Sequence, residues 1–316
     1  MRFAGSNSLA EIRVTLQAYV KNAFFFVCLK TKNTSMITDS QTNKVYFSKR
    51  ITWYKMWPAL KEAMDKHGVP YVFLEGTRDK WARDYMPIQM AKDRFVSYVY
   101  DPDYLQKDRN LITDWEAIPG LDLPGETVRT RLIIDGGNVV KCADGVIMTD
   151  KVFLENRRLQ LSRKEVMEEL ERLFGKVVIL PWNIGDEWDF CGHADGMVRY
   201  VGGNRVLVNN LVNHPASAWQ LKEIHEALSA AGMDFVDLDY GRSRDVNDWA
   251  YLNFLQVGDV IFMPTVNKPQ TDRLAAEQIS TIYGCEVVPI PSLSLVKANG
   301  KYGGGALNCI SWNIAE

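Results

Sequence analysis

One local pattern recurs along this chain at a nearly even spacing of about 56 residues, and a period of that length marks a fold built from repeated supersecondary units. Each copy reads as two short strands joined by a tight turn, an amphipathic helix and a further short strand. Residues 135 to 181 give the clearest copy. There Asn138 to Cys142 and Val146 to Thr149 flank Asp144-Gly145, a dipeptide that favours the positive φ of a two-residue hairpin. Val166, Leu170, Leu173 and Phe174 then fall on one helical face, and the β-branched run Lys176 to Leu180 predicts a buried strand ended by Pro181.

The same order returns at 196 to 238, with a turn at Gly203-Asn204, a helix presenting Leu221, Ile224, Leu228 and Ala231, and a strand Asp234 to Leu238. It returns at 250 to 290, with a turn at Gly258-Asp259, a helix presenting Ala275, Ile279, Ile282 and Tyr283, and a strand Cys285 to Ile290. A further copy opens with a hairpin over Ala82 to Tyr100, although its helix, expected within 101 to 126, is poorly patterned. The fifth copy is split between the ends of the chain. Ala306 to Asn313 is a strand with no successor; Lys44 to Ser48 is a strand with no predecessor, followed by a helix at Trp57 to His67 and a strand at Val69 to Leu74. Pairing the two ends would close a ring and leave no strand edge exposed, so a closed five-part α/β ring is expected rather than an ordinary α/β domain with hairpins.

Polar residues that look out of place sit at one point of each copy, at or near the first strand: Asp84, Asp135, His193 with Asp195, Asn253 and Cys309. Their separations are 51, 58, 60 and 56 residues, which in a five-part ring would aim them all into one central channel. Carboxylates, an imidazole, an amide and a thiol that converge in this way form a site rather than a core. Cys309 follows Gly303-Gly304-Gly305, a run that permits close backbone approach. A lone cysteine is more often a small buried hydrophobe, but the glycine run and the matching His193 point to a thiolate nucleophile with a proton carrier. His193 and Asp195, as an H-x-D step on a strand, would share a face. A metal site is the rival, but carboxylate-rich sites with one thiol do not suit zinc, so no metal and no cofactor are expected. In Trp81-Ala82-Arg83-Asp84, Arg83 is read as pairing with a carboxylate to tie down the turn while Asp84 faces the site. Asp84 and Asp195 together suit a guanidinium, a planar permanent cation whose fork of N–H donors pairs with carboxylates. Trp81 and Trp188 are placed to line a substrate pocket with Asn253.

With 47% hydrophobic and 24% charged residues, the 316-residue chain is expected to bury a core without a metal or disulfide. Its five cysteines, Cys28, Cys142, Cys191, Cys285 and Cys309, form no C-x-x-C pair and suit a reducing compartment; all but Cys309 are read as packing or surface thiols. A formal charge of -2 gives no basic field for nucleic acid. Phosphate-cradling and serine-hydrolase motifs are missing from the sequence. The apolar run Ala23 to Leu29 has seven residues where a membrane span needs about 20, and Lys30 and Lys32 follow it in place of a small-residue cleavage site. Residues 1 to 35 are therefore expected to be an extension, non-native or disordered, before a single domain over 36 to 316. A cytoplasmic protein without a membrane partner is expected, secretion being the alternative; self-association is left open.

Five segments in order, Trp81-Ala82-Arg83-Asp84, Asp135-Gly136-Gly137-Asn138, Gly192-His193-Ala194-Asp195, Tyr251-Leu252-Asn253-Phe254 and Gly303-Gly304-Gly305 through Cys309, resemble the agmatine deiminase and bacterial peptidylarginine deiminase family. The resemblance covers nearly all of residues 45 to 313. It implies the pentein-type fold, a five-fold pseudosymmetric α/β propeller. It also implies that Cys309 attacks the guanidine carbon, that Asp84 and Asp195 hold the nitrogens, that Asp135, where relatives often have Glu, orients His193, and that His193 serves as general acid and base. Three departures bear on pocket shape: Met86 stands where a Gly often precedes Pro87, Asn308 stands where a His often precedes the nucleophile, and the chain is shorter than the agmatine enzymes. The implied activity is conversion of agmatine to N-carbamoylputrescine and ammonia, a step of putrescine and polyamine formation. Arginine, peptide-borne or free, is the alternative substrate. A non-catalytic pentein binding module is the alternative of another class, and it predicts loss of the thiol, imidazole or carboxylates, all of which are present.

Overall fold

The computed structural model describes residues 35–182, 191–210, 218–241, 248–297 and 304–316. The expectation for the N-terminal extension lies outside the described residues but for Ser35. Fifteen described strands pair into five sheets of three. In chain order they are β1 (Lys44–Ser48), β2 (Tyr71–Leu74), β3 (Ile88–Ala91), β4 (Arg94–Val99), β5 (Glu126–Ile133), β6 (Val140–Cys142), β7 (Gly145–Thr149) and β8 (Lys176–Leu180). They continue with β9 (Val198–Gly202), β10 (Arg205–Val208), β11 (Asp234–Asp237), β12 (Leu255–Val257), β13 (Val260–Thr265), β14 (Glu286–Pro291) and β15 (Ser311–Ile314). The sheets are β3-β4-β5, β6-β7-β8, β9-β10-β11, β12-β13-β14 and β15-β1-β2.

Every sheet repeats one rule: the middle strand is antiparallel to the first and parallel to the third. Hairpins make the antiparallel pairs, and a longer crossover is needed for the parallel ones. In the split copy β1 takes the C-terminal β15 as its antiparallel partner, with Val45 opposite Asn313, and β2 as its parallel one. The crossover before β8 shows why helices form there. Ser162 caps Arg163–Phe174 in a reciprocal box with Glu165, Val166, Leu170, Leu173 and Phe174 turn inward, and Gly175 at φ 78° stops the helix. The other crossover helices are Trp57–Lys66, Ala218–Ala230 and Pro269–Tyr283, two of them opening on a proline that needs no N–H partner in the first turn.

Two expectations are corrected. Between β4 and β5 no α-helix forms; the chain makes 3-10 turns at Asp103–Leu105, Arg109–Leu111 and Trp115–Ala117, broken up by Pro102, Pro119, Pro124 and two glycines at positive φ. More important for function, the polar residues do not sit on the first strands. Each first strand is preceded by a short turn of helix or 3-10 helix: Ala82–Tyr85, Gly136–Asn138, Ala194–Gly196, Asp248–Leu252 and the turn at 307–310. Backbone groups at the axis have no neighbouring strand to pair with, so the turns satisfy them locally. The same i to i+3 bond closes all five: Asp84 N to Trp81 O at 3.0 Å, Asn138 N to Asp135 O at 2.9 Å, Gly196 N to His193 O at 3.2 Å, Asn253 N to Ala250 O at 3.0 Å and Ser311 N to Asn308 O at 3.1 Å.

Met36–Glu316 form one compact unit. No helix among the described residues is long and apolar enough to cross a membrane. Trp312 of β15 locks the closure: its indole N–H donates to the Pro87 carbonyl at 2.8 Å, and its ring packs 5.1 Å from Tyr46 and 6.1 Å from Phe95. Gln89 holds both the N–H and the carbonyl of Ala315 at 2.8 Å. Trp312→Ala would open a cavity where the two chain ends meet and strand a buried carbonyl. It is expected to lower the unfolding free energy by about 3–5 kcal/mol in denaturant titrations; a loss under about 1 kcal/mol would show that closure does not depend on this residue.

Candidate active site

The five turns bring together Asp84, Asp135, His193, Asp195, Asn253 and Cys309. Asp84 lies in the one-turn helix Ala82–Tyr85, and its Oδ1 accepts the Gly137 N–H at 3.2 Å and lies 3.8 Å from His193 Nδ1. Asp135 precedes the Gly136–Asn138 turn, and its Oδ2 meets His193 Nε2 at 2.9 Å. With Nε2–H given to Asp135, Nδ1 is the ring atom that looks towards Asp84. His193 and Asp195 share the next turn, not a strand face. Asp195 Oδ2 accepts from Asn308 Nδ2 at 2.6 Å and stands 3.8 Å from Cys309 Sγ. The oxygen of Asn253 accepts from Cys309 N at 3.3 Å and from Sγ at 3.2 Å, so this amide engages the sulfur residue rather than standing apart as a pocket wall.

Glycine makes the crowding possible. A Cβ on Gly137 would fall 2.5 Å from His193 Nδ1 and 2.7 Å from Asp84 Oδ1. One on Gly305 would strike the Trp81 ring and come 3.0 Å from Cys309 Cβ. Trp81 thus forms a wall beside the sulfur, with the Lys80 ammonium 3.9 Å from its ring centre. Trp188 and Gly303 lie outside the described residues.

Charge in this cavity is unbalanced, with three carboxyl groups around one imidazole. Burial works against a charged His193, yet Asp84, the hydrogen bond and charge of Asp135, and Asp195 outweigh it and raise its pKa to about 10. Burial pushes Asp84 well above the ordinary carboxylate range; His193 opposes this, and Asp135 and Asp195 add to it. Burial likewise drives the Cys309 thiol well above its usual value, with Asp195 and then Asp84 pushing the same way. The free site therefore holds a neutral thiol and an imidazolium that share the neighbours Asp84 and Asp195, and its surplus of acid groups favours a cation.

Three contributors were missed by sequence reasoning. Tyr104 donates its hydroxyl to Asp135 Oδ2 at 3.2 Å, although it comes from the segment whose helix did not form. Asn308, noted only as a departure, orients Asp195. Among the described residues Arg83 hydrogen-bonds no carboxylate: its guanidinium donates to Asn308 Oδ1 at 3.1 Å, Asn308 O at 3.4 Å and Asn313 Oδ1 at 2.6 Å, while its backbone N–H meets the Cys309 carbonyl at 3.1 Å. An arginine immediately before a site carboxylate was the one available signal for this brace. Cys142 is packed in the core and Cys285 is half-buried against it.

The model of the Porphyromonas-type peptidyl-arginine deiminase family matches residues 33–314. The chain belongs to that family. Membership assigns it to the guanidine-modifying deiminases of the pentein superfamily. Among solved structures, a Porphyromonas gingivalis protein provisionally assigned as an arginine deiminase superposes with a TM-score of 0.68 at 20% identity, over 88% of this chain and 97% of that one. Agmatine deiminase of Enterococcus faecalis gives 0.62 at 18% identity, over 89% and 96%. Agmatine deiminase of C. jejuni gives 0.61 at 15%, over 89% and 96%. These likenesses establish the fold, a pentein-type five-fold pseudosymmetric α/β propeller. No curated protein matches the chain.

The carboxylates near the sulfur set a measurable reactivity. Asp195→Asn should lower the Cys309 thiol pKa, because it removes the charged group that, after burial, contributes most to raising it. Alkylation at Cys309, read by peptide mass spectrometry against pH, should then run about tenfold faster near neutrality than in the parent protein. An unchanged or slower rate would contradict the charge assignment.

Proposed function

We propose that the protein hydrolyses the guanidinium of a small cation, agmatine, to N-carbamoylputrescine and ammonia. One observation carries this reading: a thiol, an imidazolium and an excess of carboxyl groups cluster in the buried interior, and among the described residues the imidazolium is the only cation hydrogen-bonded to those carboxyl groups. A guanidinium supplies that charge, and its planar fork of donors matches Asp84 on one side and Asp195 on the other. Binding the cation also lowers the cost of ionising Cys309: burial first, then Asp195 and Asp84, hold the thiol neutral, and the new positive charge offsets the two acid groups.

In the proposed reaction the thiol gives its proton to solvent as the cation enters, and Sγ bonds to the guanidine carbon while the C=N π pair moves onto nitrogen, giving a tetrahedral adduct. His193 donates its Nδ1 proton to a departing nitrogen, the C–N bond breaks and ammonia leaves, with a covalent thiouronium on Cys309. Neutral His193 then takes a proton from water, which attacks the same carbon. The C–S bond breaks, the ureido product departs and the sulfur regains a proton. His193 acts twice, as acid and then as base, and the Asp135 bond keeps its ring aimed for both steps.

A second reading, deimination of arginine within peptides or free in solution, is favoured by the family match to peptidyl-arginine deiminases. Incubation with agmatine, free arginine and a blocked arginine peptide, with ammonia and ureido product measured, separates the two. Product from agmatine at the highest kcat/KM is expected; no product from any of the three would end the catalytic reading. Cys309→Ser should reduce turnover by on the order of 10⁴-fold or more while calorimetry still detects substrate binding. Turnover should rise from neutral into alkaline pH as the thiol ionises and fall as His193 loses its proton near about 10; an optimum on the acid side of neutrality would contradict this proton inventory.

A further inference from the structure

Beside His193 stands a residue that the proposed reaction leaves unused. Tyr104 sits in the 3-10 turn Asp103–Leu105, inside the irregular crossover that replaces a helix in its copy of the repeat. The turn is built to hold still. Leu105 is buried in the core; the Asp103 carboxylate receives both bonds, 2.8 and 2.9 Å, from the Lys151 ammonium, and the Asp103 N–H donates to Glu155 at 3.1 Å. Lys151 is itself 3% exposed and lies 5.9 Å from the Tyr104 ring centre. So fixed, the phenol hydroxyl donates to Asp135 Oδ2, the same oxygen that meets His193 Nε2, and its ring stands edge-on to the imidazole at 6.5 Å. The other oxygen of Asp135 has no partner among the described residues, so one oxygen serves both neighbours.

We propose that Tyr104 is a positioning residue for His193: its hydroxyl shares the Asp135 oxygen, so fixing the ring with Nδ1 towards the cavity and limiting how strongly the carboxylate holds the imidazole proton. A hydrogen bond donated to a carboxylate stabilises its charge and weakens its pull on a second donor. Burial and the Asp135 charge keep the phenol well above its ordinary pKa, so it remains a donor wherever His193 titrates. Among the described residues, the groups that face the imidazole are Asp84, Asp135, Asp195 and Tyr104. Of these, Tyr104 alone is not a carboxyl group, and it acts by redistributing charge already present on Asp135. The inference rests on the proposed role of His193 as proton carrier, but its test does not require turnover.

The test is a histidine NMR titration of the full chain, with the His193 resonance assigned by its loss in His193→Gln. Tyr104→Phe keeps the ring and deletes the donor; it should raise the His193 pKa by about half a unit, because Asp135 then holds the proton more tightly. Fluorotyrosine placed at 104 by site-specific incorporation is a stronger donor and should shift it the opposite way. A role in packing alone would move neither, or both in one direction, and either result would overturn the proposal. In the kinetic arm Tyr104→Phe should lower kcat about tenfold with KM little changed, as for loss of one charge-assisted bond away from the substrate; a fall in kcat/KM through KM alone would also overturn it. Opposite titration shifts in a protein that turns over none of the three guanidines would leave Tyr104's role standing and sink the functional reading instead.

Discussion

Buried acid groups crowded around one imidazole set the electrostatics of the candidate site. Asp84, Asp135 and Asp195 are each buried, and the only cation hydrogen-bonded to any of them among the described residues is His193. Leaving carboxylates dry is costly, and their charge helps keep a proton on the imidazole; on the sulfur, burial of the thiol itself retains the proton first and the neighbouring acid groups add to it. The same imbalance that holds Cys309 inert in the free protein would make it reactive once a flat cation enters. Reactivity is thus tied to occupancy, which keeps an exposed thiolate from forming in an empty site.

A ring of five similar units makes such crowding affordable. The core contributions lie outside the axis, in the faces of the crossover helices and in buried middle strands such as β7, while the axis is lined by turns that close their own backbone bonds. Because those turns are stable without neighbours across the axis, their side chains can repel one another without unravelling the sheets. Arg83 and Asn308 add a second tier: the guanidinium of Arg83 braces the segment around Cys309, and Asn308 passes that constraint to Asp195. The Asn308 amide gives a neutral donor to the Asp195 carboxylate without adding a titrating group.

The fold was legible because hydrophobic periodicity and turn dipeptides repeat. Strands Lys44–Ser48 and Lys176–Leu180 and the helical face around Leu170 were readable from pattern alone, and so was the pairing of the two chain ends. The crossover at 101 to 126 was not, since prolines and glycines there suppress the helical period while leaving several turn types equally allowed. The short turns ahead of each strand were hidden for a related reason. Four residues carry too little periodicity to separate an extended segment from one turn of helix, and the tertiary position at the axis decides between them.

The sequence by itself determined the set of reactive groups and their spacing, because a period of about 56 residues in a closed ring leaves few places for five recurrent polar residues to go. Tertiary structure alone decided how they meet. Which oxygen of Asp135 takes the imidazole, that Tyr104 shares it, that Asn253 and Asp195 flank the sulfur, and that Arg83 braces Asn308 rather than a carboxylate all depend on side-chain directions set by packing between turns far apart in the chain. Spacing fixes where a residue enters the cavity; only the surrounding atoms fix its angle, its protonation and its partner.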